Sequence, residues 1–331
     1  MNQRIGFIGS GFAQEHISAL AEVPGNEVVA ISSRSSEGIQ HLLADGRITH
    51  YPFENHLEML RKEQLDAVYI CLPPHLHGDI EIACAEHVKG LFIEKPIALD
   101  LATTSRLNDC FKQAGNIVSV GYMYRYRENI LKAKEHFASN TSILINAAWS
   151  GELPPPYWWR RREQSGGQLT EQATHLIDSI RYLSGEISEV SAYATRGFIT
   201  EVDDFNVDDA MVMNFHLASG AIGTVQTSCF SHAHGGGELG IYLEMASREK
   251  TFRFRNHCMD LEIQHNAQHR EKLLSADNPL IAENTAFLQA LRNGNHNGIH
   301  STFDDATESL KVSLAADLSI REKRCVAIDS L

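Results

Sequence analysis

The chain has 331 residues, 43% hydrophobic and 21% charged, an ordinary globular composition with length enough for two cores. Its 42 acidic residues outnumber 29 basic ones for a formal net charge of −13. That balance argues against a nucleic acid or an anionic membrane surface as partner, because phosphate binding needs concentrated Lys and Arg. No apolar run approaches the roughly 18–20 residues of a membrane span. The six cysteines are scattered, with no CxxC pair. They read as reduced thiols rather than a disulfide framework or metal site. The chain enters a strand pattern at Arg4 with no leader pattern before it, so a cytoplasmic protein is expected.

Residues 1–122 alternate short apolar strands with amphipathic helices. Strands are expected at Arg4–Gly9, Glu27–Ile31, Asp66–Leu72, Leu91–Glu94 and Ile117–Gly121. Helices are expected at Phe12–Val23, Glu37–Ala44 and His77–His87. This alternation predicts a doubly wound parallel sheet, a Rossmann domain. From 123 to 331 the pattern changes. After a helix at Glu128–Phe137, strands dominate to about Arg255, interrupted by a helix at Thr170–Leu183. Ala218-Ser219-Gly220 between two strand patterns signals a hairpin. Helices at Ala282–Arg292 and Thr302–Arg321 close the chain, the second with Phe303, Ala306, Leu310, Leu314 and Leu318 on its buried face. The second domain is therefore expected to be an open, largely antiparallel sheet with helices on one side, carrying substrate binding and oligomerisation.

Gly9-Ser10-Gly11-Phe12-Ala13 joins the first strand to the first helix. The first glycine allows a tight turn, and the second lets the backbone approach a pyrophosphate held at the helix N-terminus. Gln14 stands at the third glycine of that fingerprint, so the placement of GxG in a βαβ pattern carries the dinucleotide reading. An acid at the end of the second strand would take the ribose hydroxyls of NAD. Here Ser33 and Arg34 stand there instead, and hydroxyl plus guanidinium favour the 2′-phosphate of NADP(H), with NAD(H) as the alternative.

Two further motifs carry chemistry. Leu91-Phe-Ile-Glu94-Lys95-Pro96 ends a strand in a charged pair and a proline, which imposes extended or turning backbone and admits a cis peptide. A chain turning there aims Lys95 across the carboxyl end of the sheet, where doubly wound folds bind ligands. Glu94 and Lys95 are thus candidate cofactor contacts; the alternative is a surface ion pair. Gly166-Gly167 precedes the second motif, in which Glu171, His175 and Asp178 fall at i, i+4 and i+7, on one face of the expected helix. Flanking carboxylates are what a proton-transferring imidazole needs for orientation.

Taken in order, GxG, EKP and GGxLxExAxHxxD resemble the glucose-fructose oxidoreductase / inositol dehydrogenase / MocA family along the whole chain. The resemblance implies a Rossmann domain joined to an α/β substrate domain, with Lys95 as the catalytic lysine. The family's aspartate–histidine pair falls on Glu171 and His175, a glutamate replacing the aspartate, and Ala173 replaces a glycine. Leu72, Pro73 and His77 match a stretch near the nicotinamide and ribose, and Tyr122–Arg125, with Tyr124 and Arg125, matches an active-site segment.

Pro154 to Arg162 sets aromatic rings and guanidiniums just before the Glu171 helix. It is either a substrate-facing segment, with Trp158 as a contact, or a packed surface loop. His232-Ala-His234-Gly-Gly-Gly reads as a loop between strands, with no third metal ligand. The residue types fit oxidation of a secondary alcohol or the reverse, and the resemblance implies a sugar, cyclitol or related polyol as the substrate. An exposed open sheet offers a face for self-association, so a homodimer or homotetramer is expected. Two alternatives are a glycoside-cleaving enzyme that oxidises its substrate transiently with NAD and a non-catalytic ligand sensor, the latter disfavoured by the presence of both Lys95 and His175.

Overall fold

The computed structural model describes residues 2–44, 46–230 and 240–331. In chain order the first part comprises β1 (Gln3–Ile8), α1 (Ala13–Leu20), β2 (Asn26–Ser33), α2 (Gln40–Leu43), β3 (Thr49–Pro52), α3 (His56–Lys62), β4 (Ala67–Ile70), α4 (Asp79–Ala85), β5 (Gly90–Ile93), α5 (Leu101–Ala114) and β6 (Ile117–Val120). There follow α6 (Glu128–Phe137), β7 (Leu144–Ser150), α7 (Arg162–Ser165), α8 (Gln168–Glu171), α9 (Thr174–Ser184), β8 (Ile187–Thr195), β9 (Ala210–Leu217), β10 (Ile222–Ser228), β11 (Ile241–Ala246), β12 (Thr251–Arg255), β13 (Asp260–Gln264) and β14 (Arg270–Leu274). The chain closes with α10 (Pro279–Asn293), α11 (Phe303–Glu322) and β15 (Val326–Ala327).

Two compact units emerge. One holds Met1–Met123 and Asn278–Thr307; the other holds Tyr124–Asp277 and Glu308–Leu331. The first unit's sheet has the order β3-β2-β1-β4-β5-β6, all parallel, with its topological switch between β1 and β4. The second unit's sheet has the order β14-β13-β12-β11-β7-β10-β9-β8-β15, antiparallel except where β7 meets β10. The expected parallel and largely antiparallel sheets are both present.

Residues 278–307, which the sequence assigned to the second domain, belong to the first unit. An aromatic ladder explains this. Phe7, Tyr69 and Phe92 are in register on β1, β4 and β5, with centroids 4.9 and 4.7 Å apart. Phe287 of α10 meets both Tyr69 and Phe92 edge-on at 5.6 Å. Each such pair adds about 0.5–1.5 kcal/mol beyond the area it buries.

In the first unit three elements carried no expectation. β3 reads Thr-His-Tyr-Pro, without an apolar alternation, and α3 follows it directly. α5 did have local signals: Asp100 accepts from the Thr103 N–H at 2.7 Å, and Gly115 ends the helix at φ 71°. The hairpin is present, Gly220 taking φ 88° between β9 and β10. On α11, Leu314 and Leu318 are only half-buried, and Val312, Ala315 and Ala316 occupy the covered face.

The expected helix Thr170–Leu183 is broken. The Gln168 carbonyl accepts from both Gln172 and Ala173 N–H groups, at 3.0 and 2.9 Å, which widens the turn and ends α8 at Glu171. The Gln168 amide also donates to the Trp149 and Ser228 carbonyls, fastening α8 to β7 and β10. α9 then starts afresh at Thr174, so Glu171 and His175 lie on separate helices.

Candidate active site

In the first unit, the turn after β1 requires glycine at one position. Gly9 takes φ 91°, and a Cβ there would meet the Cys71 carbonyl oxygen at 2.2 Å. A Cβ at Gly11, by contrast, would meet nothing within 4 Å, so the space above the turn is open. The N-terminus of α1, which Phe12 and Ala13 open, has no side-chain cap, and the first turn of a helix is where backbone N–H groups bind an anion. Ser10 is half-buried and Phe12 is exposed. The open cradle and the uncapped helix fit a dinucleotide pyrophosphate.

At the end of β2, the Ser33 hydroxyl is buried, donating to the Ser35 carbonyl at 2.9 Å and lying 3.1 Å from His50 Nε2. Arg34 is exposed, 5.9 Å over the Phe53 ring. After β4, Leu72 is buried and Pro73 half-buried. The His77 side chain is fully buried, its Nδ1 2.6 Å from Glu81 Oε1, while the Gly78 N–H donates to Glu81 Oε2 at 2.6 Å.

Glu94 is held within the protein. Its Oε1 lies 2.8 Å from His16 Nε2, and its Oε2 accepts from the Lys95 N–H at 3.2 Å. His16, on α1, is fully buried, and its Nδ1 pairs with Asn284 Oδ1 of α10 at 3.1 Å. The same oxygen accepts from the Tyr69 hydroxyl at 3.1 Å. Gly121 is required here, since a Cβ would lie 2.5 Å from Glu94 Oε1. Lys95 is half-buried, and the Lys95–Pro96 peptide is cis.

In the second unit, His175 lies in the first turn of α9 and is 6% exposed. Its ring stacks on Tyr124 at 4.8 Å and on Trp149 at 6.0 Å. Tyr124 is buried, and its hydroxyl is 2.5 Å from His257 Nδ1. Burial pushes the Tyr124 phenol well above its ordinary pKa, whereas burial and the Arg127 guanidinium hold His257 below the ordinary histidine value. Glu171 accepts from the Trp159 indole N–H at 2.8 Å. Asp178 and Arg125, by contrast, are both buried and form a two-pronged pair, with Nε and Nη2 donating at 2.8 and 2.7 Å. Ser309 adds a third donor to Asp178 at 3.0 Å.

Trp159 is buried among Val207 and Cys229, with Trp158 only partly buried against the same cluster. Arg162 is salt-bridged to Asp208 and Asp317, and Arg161 to Glu163. The segment before α8 is thus packed around Trp159, which it presents to Glu171. Among the described residues no cluster of three His, Cys, Asp or Glu side chains suits a metal ion, and no helix is long and apolar enough to cross a membrane. His232 and His234 lie outside the described residues.

The sequence matches two models of one family: an oxidoreductase family with an NAD-binding Rossmann fold over residues 3–122, and the GFO/IDH/MocA C-terminal domain over 141–248. The chain belongs to the GFO/IDH/MocA oxidoreductase family. Among its relatives are a myo-inositol 2-dehydrogenase of Thermotoga maritima, 28% identical over 230 residues and 68% of each chain. A levoglucosan dehydrogenase of Pseudarthrobacter phenanthrenivorans is 27% identical over 271 residues, 71% of this chain and 69% of that one. The curated relatives are thus matched over about two thirds of their length. The fold is shared with a levoglucosan dehydrogenase solved with NADH and L-sorbose, at TM-score 0.85 and 21% identity over 99% of both chains. It is also shared with a putative NADPH-dependent oxidoreductase of Desulfitobacterium hafniense, at TM-score 0.86 and 20% identity, covering 99% of this chain and 98% of that one.

No expectation fell on His16, Trp149 or His257, and within Pro154–Arg162 the contact was expected at Trp158, whereas Trp159 meets Glu171. His16 had a signal, standing three residues after Ala13 on the apolar face of the first helix. Nothing local marked His257, which meets Tyr124 from 133 residues away.

Proposed function

We propose that this protein transfers a hydride between the nicotinamide of NAD(P) and a secondary alcohol or ketone carbon of a sugar, cyclitol or related polyol. The observation that carries the reading is His175, nearly buried at the start of α9 and stacked on two aromatic rings, in a family of nicotinamide oxidoreductases. A ring so confined suits proton transfer at a fixed place.

The Gly9–Ala13 turn would hold the cofactor, whose nicotinamide would accept the hydride in oxidation or donate it in reduction. In the oxidative direction His175 takes the proton of the substrate hydroxyl, and in the reductive direction it returns that proton to the oxygen. Lys95 donates a hydrogen bond to the reacting oxygen and stabilises its developing negative charge. Glu171 serves as a substrate contact that Trp159 orients. Exposed Arg34 and the absence of an acid at the end of β2 support NADP(H) over NAD(H). Relatives that are a myo-inositol 2-dehydrogenase, a levoglucosan dehydrogenase and a D-xylose 1-dehydrogenase support a polyhydroxylated substrate.

The test is incubation with NAD⁺ or NADP⁺ and a panel containing myo-inositol, levoglucosan, D-xylose and related polyols. One reduced nicotinamide should accumulate per ketone formed. Cleavage of a glycoside without accumulation of reduced cofactor would overturn the reading.

A further inference from the structure

Three consecutive residues of the loop between β12 and β13, Asn256, His257 and Cys258, take φ of 51°, 55° and 65°. None is glycine, and left-handed backbone is costly for residues that carry a Cβ, asparagine being the partial exception. The loop is fastened in that shape. From α6, the Asn129 amide donates to the carbonyls of Cys258 and Met259 at 3.3 and 2.6 Å. The Met259 N–H closes onto the Asn256 carbonyl at 3.1 Å. A strained segment that its surroundings hold in place directs attention to the side chain it presents.

That side chain is the His257 imidazole. Its Nδ1 is 2.5 Å from the Tyr124 hydroxyl, and its ring meets Trp149 edge-on at 5.5 Å between centroids. Tyr124 and Trp149 are the two rings on which His175 stacks. One imidazole therefore touches both walls of the other's seat.

We propose that His257 is a positioning residue for His175, accepting a hydrogen bond from the Tyr124 hydroxyl at Nδ1 and so fixing the aromatic walls that hold the His175 ring. The proton inventory agrees. The Tyr124 phenol keeps its proton and has one to give, and a neutral imidazole has one acceptor nitrogen. Among the described residues, ionisable groups near His257 include Tyr124, the adjacent Cys258 and Arg127, whose guanidinium lies 5.9 Å over the Tyr124 ring and pairs with Asp277. Arg127 is the cation among them, and with burial it disfavours a proton on both nitrogens of His257. Nε2 is then the protonated nitrogen. Positional control of this kind matters because a reacting group displaced by about 1 Å can cost on the order of 10²-fold in rate.

The inference rests on the reading of His175 as the proton-transfer group, and the experiment separates the two. Histidine-labelled ¹⁵N protein, full chain, is examined by long-range ¹H–¹⁵N correlation at neutral pH. The His175 and His257 signals are identified by their loss in His175→Gln and His257→Asn. Wild-type His257 should be neutral, with its proton on Nε2. Tyr124→Phe, which deletes a single oxygen, should shift the His257 Nδ1 signal and also displace the His175 signals. His257→Leu should displace the His175 signals likewise, whereas His257→Asn keeps an acceptor near the Nδ1 position and tolerates left-handed backbone, so it should restore them towards wild type. His257 protonated on Nδ1 in the wild type, or His175 signals unmoved by Tyr124→Phe, would overturn the proposal. Should His257→Leu fail to fold, Tyr124→Phe and His257→Asn still decide it. No turnover is read, so failure here leaves the proposed reaction standing, and failure of the reaction shows up only in the kinetics of His175 variants.

Discussion

The Trp159 indole N–H donates to Glu171 Oε2 at 2.8 Å, so the glutamate is steadied by a ring twelve residues before it. The i, i+4 spacing to His175 was the reason for expecting Glu171 to orient the imidazole, and the break between α8 and α9 removes that reason. Glu171→Gln preserves an acceptor for the indole and the shape of the site. Its KM for the preferred polyol should rise, while the limb of the kcat/KM–pH profile assigned to His175 stays in place. Movement of that limb to lower pH would restore Glu171 as the partner of the imidazole, because a lost anion disfavours the charged ring.

Lys95→Ala and His175→Ala should each lower kcat by about 10²-fold or more, the range for a lost general acid–base or a lost donor to a developing oxyanion. Cofactor affinity, measured by fluorescence titration, should change little in His175→Ala. Near-normal turnover in either variant would remove that residue from the mechanism.

His16 couples α1 to the residue before Lys95. His16→Ala strips the buried Glu94 Oε1 of its partner, at a cost of about 1–3 kcal/mol, and loosens the carboxylate that accepts from the Lys95 N–H. The apparent melting temperature and kcat should fall together. His16→Gln, whose amide can still donate, should recover part of both.

Arg34 is the exposed cation at the end of β2. Arg34→Asp should weaken NADP(H) about tenfold or more, since a hydrogen bond to a charged group is worth about 1.5–3 kcal/mol. It should leave NAD(H) binding equal or better. Calorimetric titration of both cofactors reads the order directly, and tighter NAD binding by the wild type would reverse the assignment. Ser33 should matter less, because its hydroxyl is already engaged with Ser35 and His50.

Acid should destabilise the second unit through two histidines. His257 and His136 both sit below the ordinary value of 6.5, burial being the first cause in each, with Arg127 second for His257 and Lys250 for His136. Above about pH 6.5 neither state binds the proton and these rings contribute no pH dependence. Below it the unfolded chain takes up protons that the folded rings resist, so stability falls until the folded rings titrate. The apparent melting temperature should therefore drop on acidification from about pH 7 to 5, and less steeply in His257→Asn. An equal slope in wild type and variant would mean that His257 titrates alike in both states.

What the sequence determined by itself is confined to short stretches. The Gly9–Ala13 turn, the apolar parallel strands, Lys95 ahead of Pro96 and the glycine pair before the His175 helix are each set by backbone limits within a few residues. The family resemblance rests on the same stretches. Even there the local evidence misled once, because a continuous helical pattern from Thr170 was interrupted by the anchoring of Gln168 to β7 and β10. The tertiary structure decided the partners of buried polar groups: Glu94 with His16, Asp178 with Arg125, Tyr124 with His257. It also decided that α10 joins the first unit, through Phe287 on the ladder of Tyr69 and Phe92. A buried donor or acceptor must find a mate wherever packing brings one, and these mates lie 53 to 133 residues away. No spacing rule reaches that far, so the motifs were legible in the sequence and the distant partners that hold their residues were not.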